Sequence, residues 1–76
     1  MNEEQKRARR ARMIKRILNR EGIYTLDDVL AWYDKGADLK AIRDIGPKLY
    51  EQINEGLGDE TREAWEAATG MPWGTP

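Results

Sequence analysis

Four glycines, at positions 22, 36, 46 and 58, punctuate four apolar periods in this chain and predict four to five short helices and no sheet. Each segment repeats its apolar residues at helical spacing, and most open near a residue type that caps helices. From Glu3 to Asn19 there is neither Gly nor Pro, and Ile14, Ile17 and Leu18 fall at i, i+3 and i+4 with Ala11 one turn earlier. That predicts a first helix with one apolar stripe, ended by Gly22. Thr25 followed three residues later by Asp28 predicts a capping box opening a second helix over Leu26, Val29, Leu30 and Tyr33, closed by Gly36. Asp38 caps a short third helix that buries Leu39 and Ile42. Pro47 is placed as the first residue of a fourth helix with Leu49, Tyr50, Ile53 and Leu57, which Gly56 and Gly58 weaken and stop. Asp59 opens a last helix through Thr69, with Ala64, Trp65 and Ala68 on one side, and the tail from Met71 is irregular. The expected fold is all-α, a compact bundle of four to five short helices with an extended basic N-terminal helix. Its predicted core is Ile14, Ile17, Leu18, Ile23, Leu26, Val29, Leu30, Leu39, Ile42, Ile45, Tyr50, Ile53 and Leu57.

Composition limits what such a bundle can do. The chain has 76 residues, and eight of its apolar residues are alanines, so it builds one small core and no second domain. There is no cysteine and no histidine, which removes disulfides, thiolate zinc sites and the Ser-His and Cys-His nucleophile arrangements. The expectation is a non-enzymatic protein without metal or cofactor. Asp27 with Asp28, and Glu63 with Glu66, sit where helix starts and solvated faces account for them. No apolar run approaches the length of a membrane span, and the charged N-terminus is unlike a signal peptide, so a cytoplasmic protein without membrane contact is expected.

Charge is strongly divided. Residues 1–20 carry eight basic groups against Glu3 and Glu4, a net of +6, and residues 21–76 carry five against twelve carboxylates, a net of −7, which together give the formal −1. The expected organisation is a basic helical arm over residues 1–12, a helical domain over 13–58, and a C-terminal helix and tail over 59–76. On a helical wheel Arg9, Arg12, Arg16 and Arg20 share a sector of roughly 80° opposite the apolar stripe, whereas Arg7 and Arg10 fall on the core side. Such a ladder suits a polyanion. The same charges also suit self-pairing with the acidic body.

The short third helix, the turn Ile45-Gly46-Pro47-Lys48 and the helix after it resemble a helix-hairpin-helix. In that motif a glycine lets the main chain approach a phosphate, helix N-terminal N–H groups donate to its oxygens, and a lysine adds charge. The likeness extends over Leu18 to Leu57. LNREGIYTLDDVL (18–30) and DLKAIRDIGPKLYEQINEGL (38–57) resemble the C-terminal domain of the bacterial RNA polymerase alpha subunit, at Asp38, Leu39, Ile42, Arg43, Gly46, Lys48, Ile53 and Leu57 in particular. The resemblance implies a compact helical domain that binds DNA upstream of promoters and touches activators. The family's first-helix DNA contacts fall on Met13 and Arg16, and neither is the family's residue. Gly46 and Lys48 match, Leu49 stands where the family has serine, Asp44 precedes the turn, and two extra residues lie between Leu30 and Asp38.

The expected function is therefore duplex DNA binding, in transcription, through Arg9, Arg12, Arg16, Arg20, Gly46 and Lys48 as one backbone-contacting face. The alternative is an adaptor in a bacterial or viral assembly that keeps the fold and captures a protein through its acidic body and the aromatic residues Trp32, Tyr33 and Trp73.

Overall fold

The computed structural model describes residues 2–58 and 61–74, and among these the chain is helical, with no strand. Helix α1 runs Glu3–Arg20, α2 Leu26–Asp34, α3 Pro47–Gly58 and α4 Arg62–Thr69, with a single 3-10 turn at Leu39–Ala41. Local chemistry sets these bounds. Asn2 caps α1 in a reciprocal box, its Oδ1 accepting from the Gln5 N–H at 2.8 Å while Gln5 Oε1 accepts from the Asn2 N–H at 3.2 Å. Thr25 and Asp28 form the predicted box at α2, and Asp38 caps the 3-10 turn through the Lys40 N–H at 3.0 Å. Gly22 and Gly36 take positive φ where the first two helices end, which is what a glycine allows at those points.

Helices α1, α3 and α4 pack on one another. The pairs Arg7 with Glu55, Arg10 with Gln52 and Arg20 with Asp44 step in opposite directions along the chain, so α3 lies antiparallel to α1. The core that they enclose centres on Ile14, Leu18, Ile53 and Trp65, with Val29, Leu39 and Met71 closing it from the loops and α2. Gly56 is the contact point of α3 with α4. A Cβ there would lie 3.0 Å from Ala68 Cβ and 3.5 Å from the Trp65 backbone. The sequence suggested that Gly56 weakens its helix; its bare backbone is instead what admits α4.

Helix α2 stands further off and reaches the core through Leu26 and Val29. The tail holds it in place: Pro72 O accepts both the Leu26 N–H at 3.1 Å and the Trp65 Nε1–H at 3.2 Å. Several expectations are corrected here. Leu30 is 47% exposed, because it lies beside Asp27 and Asp34 on the wheel, past the narrow edge that a nine-residue helix presents to the core. Leu49 is buried while Tyr50 and Leu57 are half-buried, so α3 is turned toward its leucine at the first turn. The last helix is capped by Thr61, whose Oγ1 accepts from the Ala64 N–H at 3.2 Å, and Asp59 lies outside the described residues. The third helix is one 3-10 turn, since Ile42 is already extended at ψ 128.

Candidate nucleic-acid interface

The arginines of α1 divide into two sets. Arg7 Nη1 pairs with Glu55 at 2.7 Å, Arg10 Nη2 with Glu3 at 3.2 Å, and Arg20 Nη1 with Asp44 at 3.2 Å. Arg7 and Arg10 lie on the edge of α1 that faces α3, whereas Arg20 shares the outer sector with Arg16 and reaches the turn before α3 from the last turn of the helix. Arg9, Arg12 and Arg16 project the other way, are exposed, and make no ion pair among the described residues. They surround Met13, which is 38% exposed, and the four side chains line one shallow groove. The self-pairing anticipated from charge thus accounts for one set and leaves the other unmatched.

The seam between α1 and α3 is fixed by Gln52, a polar side chain only 3% exposed. Its Nε2 donates to Arg7 O at 3.0 Å and Ala68 O at 2.7 Å, and its Oε1 accepts from Arg10 Nε at 2.8 Å. One amide therefore ties α1, α3 and α4 together, and with them the angle at which α1 presents its outer face. Residues 3–10, within the stretch expected as an arm, are continuous with α1 and held to α3 by these contacts.

At the turn, the residue with left-handed backbone is Asp44, at φ 77. Gly46 has no positive φ, and a Cβ on it would meet nothing within 4 Å. Neither the turn nor its packing requires a glycine at 46. What the missing side chain leaves is an open approach to the start of α3. Arg20 also donates to Arg43 O at 3.2 Å, so it clamps the turn from both sides and holds a cation against the Asp44 carboxylate. A carboxylate at that place would repel an incoming phosphate; the Arg20 guanidinium offsets it. Arg16 and Arg20 border one groove with Met13 and Asp44, and Lys48, exposed, borders the next groove along the seam, where Lys6, Arg7 and Arg10 alternate with Glu3, Glu51 and Glu55. The structure thus brings Arg16 and Arg20 to the turn, and sets Lys48 beside Arg10 rather than Arg12.

The aromatic residues offered to a partner are packed. Trp32, Tyr33 and Trp73 are half-buried against the core cluster. Burial, then the neighbouring Tyr50 and Asp38, push the Tyr33 hydroxyl up to about 12. Lys40 Nζ sits 4.7 Å from the centre of the Tyr50 ring. The large apolar residues left outside are Met13, Leu30 and Tyr24, the last 57% exposed. Sequence reasoning missed Met13 and Tyr24 as surface features and Gln52 as a junction. A signal for Gln52 existed, since it falls one position before Ile53 on the inner side of α3, where a polar residue needs partners.

Among the described residues no group of three acidic side chains is placed to hold a metal, and no helix is long and apolar enough to cross a membrane. Comparison of the chain with protein-family models, curated proteins and solved structures gives no match.

Proposed function

We propose that this chain is a non-enzymatic nucleic-acid-binding protein that grips the backbone of duplex DNA along the outer face of α1, with the α3 N-terminus as a second point of contact. The observation that carries the reading is the division of the arginines. Six arginines lie on one helix, three are paired within the molecule, and the exposed three, Arg9, Arg12 and Arg16, make no ion pair among the described residues. Arginines along an exposed helix face suit phosphate oxygens, and phosphate contacts carry no base information.

The helix-hairpin-helix reading assigns Gly46 and Lys48 to the same backbone, Gly46 as open main chain and Lys48 as a point charge. Arg20 is then a positioning residue that neutralises Asp44. The resemblance to the polymerase alpha C-terminal domain supports a role in transcription. Fluorescence anisotropy with duplexes of unrelated sequence, titrated with salt, tests the reading. Similar affinities across sequences and a steep loss with salt are expected, with Arg16→Ala and Lys48→Ala each lowering the slope by about one unit. A folded protein that binds no duplex at low salt would overturn it. The adaptor reading has an observation of its own, the exposed Leu30 of α2 and the exposed Tyr24 just before that helix.

A further inference from the structure

Two exposed helical faces of this chain complement each other. On α1, Arg9, Met13 and Arg16 lie within a sector of roughly 60°, and on α2, Asp27, Leu30 and Asp34 do the same. All six positions are exposed, and none of their four charged groups is in an ion pair among the described residues. Each face is a pair of like charges with one apolar side chain between. Their spacings also match. Read backward, α1 steps three residues from Arg16 to Met13 and four to Arg9; read forward, α2 steps three from Asp27 to Leu30 and four to Asp34. Both faces are therefore about 10.5 Å long with the apolar residue at the same fraction of the length.

We infer that the α2 face is a docking surface for α1 of a second copy of this chain. Laid antiparallel, the two helices set Arg16 against Asp27, Met13 against Leu30 and Arg9 against Asp34 simultaneously. The contact explains why a chain with so few large apolar residues leaves Met13 and Leu30 exposed at 38% and 47%. The contact is heterologous, one patch meeting a different patch, and it is small, so it holds weakly and responds to salt. The inference stands apart from the DNA reading, but both use the outer face of α1, so DNA and a second copy exclude one another there.

Sedimentation velocity at protein concentrations up to ~1 mM tests it, because contacts below about 1,200 Å2 are transient. At ~10 mM salt, where the Debye length is about 30 Å, the average mass of the wild-type chain should rise with concentration, and at ~1 M salt it should return to that of one copy. R9E/R16E and D27K/D34K chains, each checked for fold by circular dichroism, should both remain single, and mixing them should restore association. If either double variant is unfolded, Met13→Glu and Leu30→Lys form the equivalent complementary pair at exposed sites. A wild-type chain that stays single at low salt, variants that still associate, or a mixture that does not recover would each overturn the inference. Monomeric protein that still binds duplex DNA would sink this inference alone. Self-association without DNA binding would sink the DNA reading alone.

Discussion

The inner and outer edges of α1 carry the same residue type and opposite fates. At the inner edge Arg10 gives its Nε to Gln52 and its Nη2 to Glu3, and Arg7 reaches Glu55 across the seam. One residue before Arg10 and two after it, Arg9 and Arg12 meet no counter-charge among the described residues. A rotation of about 100° per residue therefore separates arginines that hold the fold from exposed arginines that make no ion pair among the described residues. Arginine content alone does not identify a binding surface. What the structure adds is which guanidiniums are left without an ion pair among the described residues.

The comparison is broken most completely by collapsing the core that fixes α1. Ile53 is fully buried, and Ile53→Ala should cost about 2–5 kcal/mol in urea unfolding, enough to unfold much of the population in a domain this small. Gln52→Leu comes next. It leaves Arg7 O and Ala68 O without their donor and Arg10 Nε without its acceptor, and should cost about 1–3 kcal/mol in the same assay. The two edges are then compared directly by thermal unfolding. Arg10→Ala should lose about 1 kcal/mol, whereas Arg12→Ala should stay within about 0.5 kcal/mol of wild type.

These contrasts were partly readable in the sequence. The wheel put Arg7 and Arg10 on the core side because the apolar stripe Ile14, Ile17 and Leu18 fixes which way α1 faces, and the Thr25 and Asp38 caps are encoded within three residues of the helices that they open. The partners of the arginines were not readable. Gln52 and Glu55 lie more than forty residues away, and only the antiparallel packing of α3 brings them near. Leu30 misled for a related reason: its type and spacing qualify it for a core, but how much of α2 is covered depends on the tail and on neighbours that local periodicity does not report. Gly56 likewise reads as a weak helical residue until α4 is seen to press against it. At the turn the sequence pointed to Gly46 as the special backbone position, while the left-handed residue is Asp44, held by Arg20 from α1.

A further effect appears only at high pH. Tyr33 ionises near 10 in an unfolded chain and at about 12 in the folded one, mainly because burial disfavours the charged form. Its contribution to stability is fully present below pH 10 and is lost as pH rises through 12. Tyr33→Phe should flatten the decline in melting temperature between pH 10 and 12.

The central claim is that the outer edge of α1 is the surface that meets phosphate, and the salt dependence of duplex binding tests it most directly. The slope of log affinity against log salt should fall by about three units in an R9A/R12A/R16A chain and by well under one unit in Arg7→Ala, on the inner edge. A triple variant that keeps the wild-type slope, or an Arg7→Ala change as large per residue, would contradict the account.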